Sequence, residues 1–218
     1  MQKHQFTVLA TDVILLSIVD GELKVLLMKM KKEPYLEHWA VPGGLINPNE
    51  TIEESARRQL ESRVGIKNIY LEQLYTFGDL DRDPFGRVVS VAYFALLPKE
   101  AVNVLKATDE VQWHSFTNLP KLAYDHKEML SVALDRIRAK LSYTNIVFSL
   151  FADGFTLTDL QTTYEIILDK KLDKRNFRKK INQLDILEKV KSKKTHGAHR
   201  PAQVFKFKDS KLRFIDMI

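Results

Sequence analysis

Residues 174–180 read KRNFRKK, five positive charges and one asparagine in seven positions. Phe177, Ile181 and Leu184 recur through them at helical spacing, which predicts a helix with a buried apolar stripe and an outward-facing charged side. Lysine and arginine on such a face suit phosphate contact, and a guanidinium or amide suits bidentate pairing with guanine or adenine. Lys174, Arg175, Asn176, Arg178, Lys179 and Lys180 are therefore candidate DNA-binding residues. The basic loop at 191–202, KSKKTHGAHRPA, adds Lys193, Lys194, His196, His199 and Arg200, with Gly197 near its tip. It joins two β-prone runs, 186–190 and 203–207, so the hairpin reads as a wing able to reach a groove. A basic helix by itself is equally well explained by solvation; the helix and the basic hairpin together favour DNA. In this reading Arg175 and Asn176 lie nearest the base edges. Lys179, Lys180, Lys193, Lys194 and Arg200 meet phosphates.

The elements that must position this helix precede it. FTLTDLQTTYEIIL predicts a helix starting at Thr156 or Thr158, with Leu157, Leu160, Tyr164, Ile167 and Leu168 on one face. Asp173 stands where an N-cap is needed for the basic helix. Residues 146–151 form a short apolar helix before the pair. The spacing is that of a winged helix-turn-helix. Charge is divided in the same way. Residues 141–218 hold 16 basic and 9 acidic side chains, a net +7, while residues 1–140 come to −1. Such asymmetry marks the last third as the part that meets a polyanion.

A second informative stretch is 43–66, GGLINPNETIEESARRQLESRVGI. Ile52, Ala56, Leu60 and Val64 give the periodicity of an amphipathic helix behind a glycine turn, and Thr51 with Glu54 has the spacing of a capping box. The stretch resembles the Nudix box of enzymes that hydrolyse nucleoside diphosphates linked to another group. Gly44, Glu50, Arg58, Leu60, Gly65 and Ile66 fall in register with that pattern, and Trp39-Ala40-Val41-Pro42 leads into it. The three acidic positions of its second half are Gln59, Ser62 and Arg63 instead. In active members, the resemblance implies, glutamates there hold Mg²⁺ against the diphosphate, and a hard cation needs anionic oxygens. Glu61 is one position off, about 100° around the helix. The expectation is a Nudix fold with no catalytic residue, no metal and no cofactor. An active hydrolase of ADP-ribose-like nucleoside diphosphates is the alternative.

Taken together, EPYLEHWAVPGG at 33–44, DRDPFGRVVSVAY at 81–93 and LDKRNFRKKI at 172–181 resemble the Nudix-related transcriptional regulators of bacteria, of the NrtR type. The resemblance covers nearly the whole chain. It implies a homodimeric cytoplasmic repressor that binds double-stranded operator DNA and senses a small molecule. That effector is ADP-ribose in members controlling NAD metabolism and a pentose such as arabinose in sugar-sensing relatives. It also puts the effector where a Nudix substrate would lie, which selects Glu50, Arg58, Arg63, Arg82, Asp83 and Arg87. Guanidinium groups suit a diphosphate bidentately. Arg82, Asp83 and Arg87 would serve equally to shape a tight hairpin.

The remaining sequence supplies the scaffold. Strands are predicted at 6–17, 23–30, 39–41, 68–77, 88–97 and 111–116, with a helix at 125–141 bearing Met129, Val132, Ala133, Ile137 and Leu141 on one face. The order predicts an α+β chain: an N-terminal Nudix-like α/β/α sandwich over 1–140, the effector-sensing domain, then a winged helix DNA-binding domain over 141–218. With no Gly/Ser linker between them, the two are expected to be coupled. There is no cysteine, which excludes disulfides and thiolate chemistry and fits a reducing compartment. The six histidines are scattered and predict no metal site. The N-terminus lacks a signal-peptide layout, and no apolar run approaches the ~20 residues of a membrane span.

Overall fold

The computed structural model of the protein describes residues 6–104, 108–194 and 202–217. Its elements are β1 (Val8–Val19), β2 (Glu22–Lys29), β3 (Trp39–Ala40), β4 (Gly43–Leu45), α1 (Ile52–Val64), β5 (Glu72–Phe77), β6 (Val88–Leu97), α2 (Lys99–Val104), β7 (Val111–Ser115) and α3 (His126–Tyr143), followed by a 3-10 turn at Ile146–Leu150. Then come α4 (Leu157–Leu168), α5 (Lys174–Leu184), β8 (Leu187–Lys194) and β9 (Ala202–Phe207).

The apolar run of β1 serves both faces of a sheet. Val13 and Leu15 belong to one core with Ala56, Leu60 and Ile66 of the α1 segment, while Ile14 and Leu16 belong to another with Met129, Ala133 and Ile137 of α3. Alternate side chains of a strand point to opposite faces, so a strand buried on both sides reads as a near-continuous apolar run rather than an alternating one. β6 pairs with β1 in parallel, from Val8↔Val88 to Ser17↔Leu97. The path of the sheet is β3-β2-β1-β6-β5, with β4 also on β1 and β7 also on β2. Asp20 and Gly21, both left-handed at φ 54° and 78°, close the β1–β2 hairpin. With α1 on one face and α3 on the other, the N-terminal part is the α/β/α sandwich expected.

The α3-side core does not stop at the sandwich. It continues through Ile146, Val147, Leu150 and Phe155 into Leu160, Tyr164 and Ile167 of α4 and Phe177 and Ile181 of α5. Arg138 of α3 also donates to the Ile167 carbonyl at 2.9 Å. The coupling of the two parts is thus a shared apolar core. The C-terminal tail runs back along the joint: Ile215 N–H donates to the Tyr143 carbonyl at 2.8 Å, and Arg213 N–H to Asn145 Oδ1 at 2.6 Å.

Some elements differ from the reading of the sequence. A division at 140/141 cuts α3, because Leu141 continues the buried stripe and the helix runs to Tyr143. The strand read from residue 68 begins at Glu72, since Asn68 is left-handed at φ 55°. β4 is too short, and α2 too polar, for periodicity to show. Residues 191–194, read as loop, extend β8. Among the described residues no helix is long and apolar enough to cross a membrane.

Candidate effector pocket and DNA-facing helix

α1 is fixed at both ends. Thr51 and Glu54 form the reciprocal capping box, and Gly65, left-handed at φ 73°, closes the C-terminus on the Glu61 carbonyl at 3.0 Å. The Gly43-Gly44 start of β4 is packed between β1 and α1 with no room to spare. A Cβ at Gly43 would overlap the Asp12 carboxylate, and one at Gly44 would lie 2.5 Å from the Gln59 amide. Held in this way, Arg58, Gln59, Ser62 and Arg63 share one face of α1 and, with Gly44 and Leu45, line an open pocket. The three positions that depart from the Nudix pattern therefore converge on one place.

In and beside the pocket most polar groups are already engaged. Glu50 accepts from Arg58 Nε at 2.8 Å, from Arg58 Nη2 at 2.6 Å and from the Asn47 N–H at 2.7 Å. The Arg58 guanidinium, with the Asn47 N–H behind it, holds the Glu50 carboxyl down at about 2. Arg58 Nη2 also reaches the Leu45 carbonyl at 3.0 Å. Gln59 is buried, its amide nitrogen donating to the Gly43 carbonyl at 3.1 Å and its oxygen accepting from Arg58 Nη1 at 3.3 Å. Ser62 Oγ donates back to the Arg58 carbonyl at 2.7 Å. Arg63 is exposed and has no ion-pair partner among the described residues.

Glu50 stands beside this pocket, joined to it through Arg58, and the other three effector candidates lie outside it. Arg82 is buried and binds Asp125 bidentately, Nε and Nη2 each at 2.8 Å, with Asp12 at 3.8 Å. Asp83 accepts the Phe85 N–H at 2.8 Å within its own turn. Arg87 clasps the hairpin through the Gly78 carbonyl at 2.6 Å and the Asp79 carbonyl at 3.0 Å. Asp83 and Arg87 thus shape the hairpin, and Arg82 ties it to Asp125.

Arg82 belongs to a buried polar cluster that the sequence reading passed over. Asp12 accepts from Ser90 Oγ at 2.5 Å, and His126 Nε2 lies 3.8 Å from it. His126 Nδ1 accepts the Val41 N–H at 3.2 Å. Burial pushes the imidazole pKa down, so the ring is neutral, with its proton on Nε2 toward Asp12. The available signal was Asp12 itself, a carboxylate at a buried position of a largely apolar strand.

In the C-terminal part, Thr156 caps α4 with a second reciprocal box, to Asp159, and Asp173 caps α5 through the Asn176 N–H at 2.7 Å. Glu165 ties the intervening turn. It accepts from the Leu172 N–H at 3.0 Å, Gln161 at 2.9 Å and Lys171 at 3.0 Å, which together hold its carboxyl at about 2. Phe177 and Ile181 are buried, and Lys174, Arg175, Asn176 and Lys179 are exposed. Arg178 and Lys180 are not free in the same way. Arg178 turns back to Thr158 Oγ1 at 3.3 Å, and Lys180 pairs with Asp216 of the tail at 3.3 Å. Asn182 and Gln183 are exposed on the Lys179 side of the helix, and the charge-led reading missed both. β8 and β9 form the wing, and Phe155 adds a bridge to Phe205. Lys193 and Lys194 stand in β8; His196, His199 and Arg200 lie outside the described residues.

Comparison with known proteins supplies the family. A NUDIX domain model matches residues 8–133, and a model of the NrtR DNA-binding winged helix domain matches 147–207. The ADPR responsive transcriptional repressor NtrR of Acinetobacter baylyi is 34% identical over 204 residues, spanning 91% of this chain and 81% of that protein. The chain belongs to the NrtR-type family of Nudix-related regulators. Shewanella oneidensis NrtR complexed with a 27mer DNA superposes with a TM-score of 0.84 at 32% identity, over 92% of this chain and 93% of that one. The NUDIX domain of the same NrtR, complexed with ADP ribose, matches 62% of this chain and 90% of that chain, with a TM-score of 0.55 and 32% identity. Sandwich and winged helix thus occur here in the NrtR order.

Proposed function

We propose that the chain is a transcriptional repressor whose Nudix domain binds ADP-ribose without hydrolysing it, and whose α5 binds operator DNA. The carrying observation is the pocket of Arg58, Gln59, Ser62 and Arg63, which keeps a Nudix site's position and offers a cation where metal-binding carboxylates would stand. The responsiveness of the Acinetobacter relative to ADPR and the ADP ribose complex of the Shewanella Nudix domain support this ligand. A pentose has no charge for Arg63 to meet.

The working form is a cytoplasmic homodimer on a near-palindromic operator, each winged helix reading one half-site. Lys174, Arg175, Asn176 and Lys179 face the DNA, joined by Asn182 and Gln183. Lys193, Lys194, His196, His199 and Arg200 are the further DNA-binding residues of this reading. A contiguous series of contacts joins pocket to helix: Gly43 backs onto Asp12, Asp12 lies beside Arg82, and Arg82 holds Asp125 at the start of α3. Near its other end α3 holds α4 through Arg138. Effector binding shifts this series and with it the placement of α5.

Incubation with ADP-ribose and Mg²⁺ or Mn²⁺, followed by chromatography, tests the first half. Intact ADP-ribose is expected, together with a rise in melting temperature that arabinose does not produce. Turnover in the ordinary enzymatic range of ~1–10³ per second would contradict the reading. Stabilisation by arabinose alone would move it to the sugar-sensing branch.

A further inference from the structure

A Nudix site implies a divalent cation between protein and diphosphate, and the residues here do not fit one. The position of each glutamate along residues 50–63 is accounted for by another contact. Glu50 is held by Arg58. Glu53 binds Arg57 at 2.7 Å, and Glu54 caps the Thr51 N–H at 2.7 Å. Glu61, on another side of the helix from the pocket, binds Lys67 at 2.5 Å. At the pocket itself the Gln59 amide and the Ser62 hydroxyl are engaged with backbone, and neither carries charge. Among the described residues no three His, Cys, Asp or Glu side chains come together closely enough to hold a metal ion. A magnesium ion bound through one or two carboxylates has no such ligand here.

The charge the ion would supply is nevertheless present. Because Glu50 and Arg58 neutralise one another, the pocket's uncompensated charge is that of Arg63, an exposed guanidinium on the face that Gln59 and Ser62 line. A guanidinium is permanently cationic and offers a planar pair of donors to two phosphate oxygens. We propose that Arg63 takes the place of the metal ion, so that this pocket binds a diphosphate without any divalent cation. The inference rests on the ADP-ribose reading for its natural ligand but not for its chemistry, which any diphosphate would probe.

Isothermal titration of the full chain tests it, with ADP-ribose in EDTA and in excess Mg²⁺, and with inorganic pyrophosphate in EDTA. Wild type is expected to bind ADP-ribose equally in the two buffers. Arg63→Gln should weaken both ligands by roughly 10-fold or more, the worth of a charged hydrogen bond at an open site. Arg63→Lys should keep part of the affinity, and Arg63→Glu should abolish binding in EDTA. A wild-type requirement for Mg²⁺ would overturn the proposal, as would Arg63→Gln binding pyrophosphate as tightly as wild type. If pyrophosphate binds through Arg63 and ADP-ribose does not bind, the ligand reading falls and this one stands. If ADP-ribose binds without metal and Arg63→Gln leaves it unchanged, the reverse holds.

Discussion

Replacing Arg175 with alanine is expected to weaken operator binding and relax operator discrimination. Arg175 is exposed near the N-terminus of α5, roughly opposite the Phe177–Ile181 stripe that fixes the helix to the rest of the domain. A recognition helix presents that region to the base edges. Losing one bidentate base contact costs ~1–3 kcal/mol and relaxes preference at that position. Lys179, on the same face, should instead weaken operator and random DNA alike, and its alanine variant should lower the salt slope by about one unit. Arg178 and Lys180 serve as internal contrasts. Their side chains are turned toward Thr158 and Asp216, so alanine there should change DNA affinity less than Arg175→Ala. The check is fluorescence anisotropy with operator and random duplexes at several salt concentrations. Unchanged affinity and discrimination in Arg175→Ala would place the reading surface elsewhere.

Arg82→Ala is expected to damage the fold before it touches the ligand. The side chain is 3% exposed and is the bidentate partner of Asp125, with Asp12 at 3.8 Å. Truncation leaves two carboxylates of low exposure facing a void, beside a neutral His126 that supplies no compensating charge. Removing one partner of a buried ion pair costs ~3–5 kcal/mol. Urea unfolding should show a large drop in midpoint, far beyond that of Arg63→Gln, whose side chain is exposed. Asp125→Asn should cost less than Arg82→Ala because it keeps an acceptor for the guanidinium. If Arg82→Ala were as stable as wild type and bound ADP-ribose more weakly, Arg82 would belong to the pocket after all.

What could be read from the sequence follows the range of the forces involved. Continuous β-prone apolar runs marked β1 and β6 because each faces an apolar core on both sides, and helical spacing served α3, α4 and α5 because one stripe of each is buried. Both reciprocal capping boxes, at Thr51 and Thr156, lie within four residues, and the local pattern offered each start. The pocket face of α1 was legible for the same reason: 59, 62 and 63 share a helix face wherever the helix packs. Contacts that depend on the tertiary fold were not legible. Arg82 meets Asp125 across 43 residues, and Lys180 meets Asp216 across 36. The resemblance and its charge offered Arg82 as an anion ligand beside the hairpin-shaping reading, and charge on the helix offered Lys180 as a phosphate contact. The same emphasis on charge hid Asn182 and Gln183, which are exposed and share a helix side with Lys179.

The central claim is that one small molecule in the Nudix pocket alters the grip of a helix in the other domain. Operator binding by the full chain, followed by anisotropy with and without saturating ADP-ribose in EDTA, tests it most directly. The predicted result is weaker operator binding in the presence of ADP-ribose, by a factor of about 5–150, with ADP-ribose affinity reduced by the same factor when operator is bound. ADP-ribose that binds the chain yet leaves operator affinity unchanged would contradict it.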